Sequence, residues 1–198
     1  MKKLFLLACP LLLLATPLAT PAQEAPKAEI FGGYSYLRTR PGEALGHFNM
    51  NGINTSVVGN VTENIGIVAE FSGFRKSETI NLPNVINQPE LVTVQAKTRA
   101  STFLVGPRLT LRSGRAEPFL HALVGGAHGS VEVSIAGFSQ KSSGTTFAYA
   151  LGGGIDVKVS DHFAVRFGQL DYLRGDVAGD GLNNFRYSVG IVIRMGKR

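Results

Sequence analysis

The stretch Phe147–Gly168, FAYALGGGIDVKVSDHFAVRFG, puts Phe147, Tyr149, Leu151, Ile155, Val157 and Val159 on one parity and Ala148, Ala150, Gly152, Gly154, Asp156 and Lys158 on the other. Side chains of a β-strand point to alternate faces, so these residues form a strand with a large apolar face and a small, partly charged one. The pattern breaks at Ser160-Asp161-His162 and resumes at Phe163, which reads as a tight turn into a second strand. A strand in water carries long charged side chains on its wet face. Glycine and alanine at those positions indicate a cramped interior, as in a closed sheet of eight strands that side chains must fill. The large residues then face outward into an apolar medium, which cannot satisfy backbone polar groups, so the sheet has to close on itself.

Working outward, the end of the chain repeats the pattern: Phe185, Tyr187, Val189, Ile191 and Ile193 oppose Arg186, Ser188, Gly190, Val192 and Arg194. Period-two alternation recurs along the chain and no segment holds a helical period. It predicts strands at 28–38, 51–60, 65–75, 97–111, 117–133, 145–159, 162–173 and 184–194. The connections alternate long and short, with 39–50, 76–96, 134–144 and 174–183 long and 61–64, 112–116 and 160–161 short. One end of the bundle therefore carries loops and the other tight turns, as in an antiparallel membrane barrel. The fold class is all-β, an eight-stranded antiparallel up-and-down transmembrane β-barrel. Pro107 inside the fourth strand, preceded by Gly106, predicts a bulge because proline cannot donate to a ladder. A second bulge is expected near Gly168, where Gln169 and Asp171 fall on the parity of outward Phe167.

The chain opens MKKLFLLACPLLLLATPLATPAQEAP, with Lys2 and Lys3, an apolar run from Leu4 to Ala15 and then small residues. That is a secretory signal layout, with cleavage expected between Ala22 and Gln23; residues 1–22 leave and 23–198 form one barrel domain. Pro10 and Pro17 interrupt the run, which argues against a permanent helical anchor. Leu6-Leu7-Ala8-Cys9 resembles a lipoprotein box but leaves too short an apolar region before it. Cys9 is the single cysteine, so the mature domain builds no disulfide and no thiolate metal site. The net charge of +6 includes Lys2 and Lys3, and the remaining basic residues occur singly or in pairs rather than in blocks, which gives no nucleic-acid footprint.

Glu70, Arg108, Asp156, Lys158, Arg166 and Arg186 fall on the inward parity. Buried charges persist only when paired, so they are expected to form a network that plugs the lumen. On the outward parity, Tyr34, Tyr36, Phe71, Phe103, Tyr149, Tyr172 and Tyr187 are expected to anchor the loop-side interface, with Phe119 and Phe163 doing so at the turn end. No catalytic constellation emerges. His47 lies in a loop, His162 in a turn, and His121 and His128 on opposite faces of one strand, none with a well-placed serine. The oxygen ligands of GDVAGDGLNN, Asp176 to Asn184, lack the spacing of a calcium loop. LGGGI is no phosphate loop, because no Lys-Ser/Thr pair follows. Neither a metal nor a cofactor is expected.

Several stretches in this order, EIFGGYSYLR, NGINTSVVGNVTENIGIVAEFSGF, STFLVGPRLTLR, the Phe147–Asp176 segment and NNFRYSVGIVIRMG, resemble the small eight-stranded outer-membrane barrels of the OmpA/OmpX type, the outer membrane protein beta-barrel domain family. The resemblance covers the mature chain. It departs at the last strand, where Ile193 and RMGKR replace the usual terminal aromatic. It implies a plugged barrel in the cell outer membrane, in contact with lipid and lipopolysaccharide; a structural or adhesin-like surface role through the loops is the reading adopted, with a monomer as the default and no enzymatic role expected. A narrow porin-like channel and a secreted soluble barrel holding an apolar ligand are the competing readings. The longest connection, Lys76 to Ala96, carries Leu82, Val85, Ile86 and Asn87, the expected contact site for an extracellular ligand or host surface. The competing reading of its second half is a simple extension of the fourth strand.

Overall fold

In a computed structural model, which describes residues 25–40, 48–82, 92–135, 138–177 and 180–197, the chain forms eight strands. These are β1 (Pro26–Arg40), β2 (Phe48–Asn60), β3 (Ile65–Leu82), β4 (Val92–Thr110), β5 (Ala116–Ile135), β6 (Phe138–Lys158), β7 (Phe163–Val177) and β8 (Asp180–Lys197). Each pairs antiparallel with its neighbours in sequence, and β1 pairs with β8 to close the barrel. The leader and its expected cleavage site lie outside the described residues.

The alternation sorts the side chains as anticipated. In β8, Phe185, Tyr187, Ile191 and Ile193 lie on the outer surface, whereas Arg186, Ser188, Val192 and Arg194 are buried in the lumen. The outer band is completed by residues such as Ile53, Ile67, Phe103, Leu120, Phe147 and Leu151, an exposed apolar belt of the kind that lipid covers. In LGGGI, the inward glycines make room for the filling of the lumen. A Cβ on Gly152 would strike the carboxylate of Asp171, and one on Gly154 would strike the ring of Phe119.

The turn end is built alike twice. In VTEN, Val61 and Thr62 donate their amides to Ile65 O, and Thr62 Oγ1 accepts from Ile65 N at 2.9 Å. In VSDH, Val159 and Ser160 donate to Phe163 O, and Ser160 Oγ accepts from Phe163 N at 3.2 Å. A hydroxyl at the second turn position thus holds each tight reversal.

The loop end differs from expectation. β3 and β4 stay paired from Lys76↔Thr98 to Leu82↔Val92, and β5 and β6 from His128↔Thr145 to Ile135↔Phe138. The expected long connections 76–96, 134–144 and 174–183 are therefore mostly strand, and the extension of the fourth strand is the reading that holds for 92–96. At ~3.3 Å per residue and a tilt of ~45°, a 21-residue strand such as β6 rises roughly 50 Å, about twice an apolar band of ~25 Å. The surplus projects beyond the lipid, where a strand needs no continuous apolar face, and its first part, Lys76–Thr79, has no hydrophobic residue to read.

The register shift between β7 and its neighbours falls between Arg166 and Gln169, at the expected bulge. It returns Gln169 and Asp171 to the lumen. Pro107 has no bulge. It faces Ile67 in an unbroken β3–β4 register, and Val105↔Val124 and Arg108↔His121 keep a single register across it on the β5 side. The ladder omits Gly106 and Pro107 there, so the missing N–H costs pairing but not phase.

Candidate functional site: the charged plug and the outer hairpins

The inward parity carries five carboxylates, Glu29, Glu70, Glu117, Asp156 and Asp171, and five guanidiniums, Arg108, Arg112, Arg166, Arg186 and Arg194, all buried. They connect into one chain across the lumen. At the turn end, Arg194 and Arg112 share Glu117, and Arg112 Nη2 also donates to Glu29 Oε1 at 2.6 Å. Glu29 lies 3.4 Å from Arg108, whose Nη2 donates to Asp156 Oδ2 at 2.7 Å. Asp156 takes a second, two-pronged contact from Arg166 at 2.7 and 3.0 Å. Arg166 Nη1 donates to Gln169 Oε1 at 2.6 Å, and Gln169 Nε2 donates onward to Asp171 and Glu70. Arg186 then joins both, donating to Asp171 Oδ2 through Nε and Nη2 and meeting Glu70 Oε1 at 2.5 Å.

Further polar groups complete the set. His121 Nε2 lies 2.7 Å from Asp171 Oδ1, Ser72 Oγ accepts from Arg186 Nη1, and Asn60 and Asn54 donate to Glu29 and Glu70. The rings of Phe31 and Phe119 lie against the guanidiniums. Arg166 stands 4.1 Å from the Phe31 centroid and 4.4 Å from that of Phe119, and Arg108 stands 3.9 Å from Phe119. Arginine suits this crowding, because its weakly hydrated planar group forks to carboxylates and stacks on rings. With equal numbers of the two signs and two or more partners for most charges, the plug carries no net charge when His121 is neutral. It fills the lumen at the level of these residues.

Of the six charges placed inward by parity, Glu70, Arg108, Asp156, Arg166 and Arg186 all lie in this chain of contacts. Lys158 does not. It sits at the turn-end rim with its side chain 31% exposed, and Nζ contacts Asp161 Oδ1 at 2.9 Å. That hydrogen bond and the ammonium charge hold Asp161 below the usual carboxylate range. Parity reasoning passed over Glu29, Arg112, Glu117, Gln169, Asp171 and His121. Arg112 and Glu117 flank the short 113–115 turn, which masks their phase, and Gln169 and Asp171 come into phase only through the bulge. Glu29 is the plainest omission, since it shares the parity of inward Phe31 in EIFGGY.

The aromatics Tyr34, Tyr36, Phe71, Phe103, Tyr149, Tyr172 and Tyr187 all occupy outward positions. Phe71 faces Phe103 and Tyr36 faces Tyr187 across strand pairs, and Tyr172 packs against Tyr149 and Phe185 with centroids 6.5 and 5.7 Å apart. Phe163 is outward too. Phe119 is not an interfacial residue: β5 turns its odd positions inward, and the ring is 3% exposed beneath the two arginines.

The loop-end contact site falls largely outside the described residues. Val85, Ile86 and Asn87 lie there, and for Leu82 only the backbone at the tip of β3 is described. Seven ladder positions below the Leu82↔Val92 pair, Arg75 and Arg99 stand directly opposite each other on the outer face. Neither forms an ion pair among the described residues. Of the histidines, His121 belongs to the plug, His128 Nδ1 lies 2.8 Å from Thr145 Oγ1 on an exposed face, His162 lies in the turn and His47 is outside the described residues.

The chain matches the family model described as outer membrane protein beta-barrel domain over residues 6–194. A search of curated proteins returns no match. Among solved structures, the attachment invasion locus protein Ail of Yersinia pestis is similar, with a TM-score of 0.63 and 18% identity over 86% of this chain and 99% of that one. Ail in complex with the heparin analogue sucrose octasulfate gives a TM-score of 0.62 at the same identity and coverage. Neisserial surface protein A gives 0.57 with 10% identity, covering 87% of this chain and all of that one. The family match spans nearly the whole barrel, lipid-facing band and filled lumen included, and the chain belongs to the outer membrane protein beta-barrel domain family.

Proposed function

We propose that this outer-membrane protein is a plugged, non-enzymatic scaffold that presents its outer hairpins to an extracellular surface. The observation that carries the reading is the continuous charge network across the lumen. A barrel filled with interlocked ion pairs serves poorly as a conduit and well as a rigid mount. The β3–β4 and β5–β6 hairpins, whose strands run 18 to 21 residues, extend well past the lipid band. Recognition is assigned to the β3–β4 tip, Leu82, Val85, Ile86 and Asn87, with the signal 1–22 removed during export.

The chemistry below the tip favours an anionic partner. Arg75 opposite Arg99 is a like-charge cross-strand pair, which is unfavourable until an anion joins it. Sulfated or phosphorylated sugars supply that charge, and the binding of sucrose octasulfate by Ail is in keeping with this choice. The test replaces Leu82 to Gln88 with a short Gly/Ser linker in one variant and combines Arg75→Ser with Arg99→Ser in another. Both variants are expected to insert normally, with the unboiled sample migrating differently from the boiled one, and to lose binding to sulfated-glycan surfaces. Unchanged binding would reject the hairpin as the recognition element.

A further inference from the structure

On the outer face of β2 to β5, the register that sets Arg75 opposite Arg99 also stacks side chains in rows. The lowest row is Thr55, Phe71, Phe103 and Gly126, the next is Ile53, Gly73, Ser101 and His128, and above it come Asn51, Arg75, Arg99 and Ser130. Phe71 and Phe103 belong to the exposed apolar belt, and Arg75 and Arg99 stand four residues further up the same strands. At ~3.3 Å per residue and a tilt of ~45°, that is a rise of roughly 9 Å, which brings the guanidiniums to the headgroup layer above the hydrocarbon. The upper rows border an open groove of about 900 Å3, to which Asn51, Gly73, Arg75, Arg99, Ser101 and His128 contribute. Among the described residues no carboxylate lines it.

Three features mark this groove as a ligand seat. Arg75 and Arg99 are exposed and repel each other until a shared anion joins them. Gly73 is not required by packing: a Cβ there would meet only a ring carbon of Phe71, at 3.8 Å, and its absence leaves the floor of the groove open. His128 Nδ1 lies 2.8 Å from Thr145 Oγ1, so Nε2 remains for a ligand. We propose that the groove seats the phosphorylated headgroup of an outer-leaflet glycolipid, the class of lipopolysaccharide, with one phosphate between Arg75 and Arg99. Guanidiniums fork to phosphate oxygens in this way. Sugar hydroxyls meet Asn51, Ser101 and His128, and the acyl chains descend over Ile53, Phe71 and Phe103. The inference rests on the reading of the arginine pair as an anion site and names the source of the anion. A lipid of the same membrane holds its phosphates at this depth, whereas an extracellular glycan has to reach seven ladder positions below the Leu82↔Val92 pair.

Native mass spectrometry of the whole barrel, released from detergent micelles, tests this with lipid A bearing both phosphates, the same lipid dephosphorylated, and its deacylated, phosphorylated sugar. The unaltered protein is expected to hold one lipid A saturably and to bind the other two probes about tenfold more weakly or worse. Arg75→Ser combined with Arg99→Ser should weaken lipid A binding about ten- to hundredfold. Gly73→Phe keeps both arginines, fills the groove and is expected to weaken binding to a similar extent. Folding of each variant is checked by the mobility difference between boiled and unboiled protein. Unchanged lipid A affinity in either variant, or equal affinity for the dephosphorylated lipid, would overturn the proposal. Equal affinity for the deacylated sugar would overturn the lipid as the source and leave the arginine pair to an extracellular glycan. If the double arginine variant lost sulfated-glycan binding and kept lipid A, this inference would fail and the function proposed above would stand. The reverse result would reject that function and uphold the lipid site.

Discussion

The two halves of the lumen are lined by the same eight strands and filled by opposite means. Towards the turns, inward positions carry five carboxylates, five guanidiniums and the rings of Phe31 and Phe119, packed so closely that glycines must stand in the wall behind them. Towards the hairpins, the same parity carries alanine, glycine, serine, threonine, Phe74, Asn184 and a few aliphatic residues, and a cavity remains. The lower half draws its rigidity from interlocked charges, each costly to leave unpaired once buried. The upper half contains nothing whose removal strands a charge. Substitutions of similar size should therefore have very unequal effects in the two halves.

The largest effect is expected from Arg186→Met, which strands Glu70 and Asp171 together. Urea unfolding in lipid vesicles should show a loss of about 3–5 kcal/mol, and Asp156→Ala should fall in the same range by leaving Arg108 and Arg166 opposed. A double-mutant cycle between Asp171 and Arg186 sharpens the point, with a coupling of about 0.5–3 kcal/mol expected for groups in one network. Phe119→Leu comes next. It removes a ring stacked on two guanidiniums, at ~1–2 kcal/mol for lost cation–π attraction. In the upper half the sign reverses: Thr102→Val removes an unpaired buried hydroxyl and should stabilise the barrel by ~1 kcal/mol. A large loss there would erase the contrast.

The smallest effect belongs to the rim. Asp161 titrates below its unfolded value because Lys158 donates to it, so its contribution is present above pH ~4 and disappears as the pH falls through the lower folded value. The pair is solvent-exposed, and Asp161→Asn should leave unfolding at neutral pH unchanged. A measurable shift at pH 7 would mean that the rim shares in the plug.

The same division explains what was legible in the sequence. Within the lipid, one face must be apolar and the other must fill a narrow lumen, so a stretch such as Phe147–Lys158 displays strand, face and inward charges at once. The phase slip at Gln169 and Asp171 likewise exposes the bulge. Beyond the lipid that contrast vanishes. Lys76–Leu82 reads as loop because its first four residues are all polar and two prolines follow, at Pro83 and Pro89, and only its pairing with Val92–Thr98 makes it strand. Phe119 was misplaced for a related reason: an aromatic on a membrane strand is usually outward, and its inward role depends on Arg108 and Arg166, which arrive from two other strands. Pro107 shows the limit of a local rule, since a ladder can lose a bond without shifting register.

The central claim, a lumen closed by paired charge beneath an open cavity, is tested most directly by conductance in planar bilayers. Purified, heat-modifiable barrel reconstituted in symmetric 1 M KCl (about 1 M, where screening leaves buried pairs largely intact) should show no stable conductance steps. Arg186→Met, if it inserts, should admit leakage by loosening the plug. Regular, long-lived steps from the unaltered protein would contradict the account, because they would require a continuous ion path where Arg186, Asp171, Arg166 and Asp156 are interlocked.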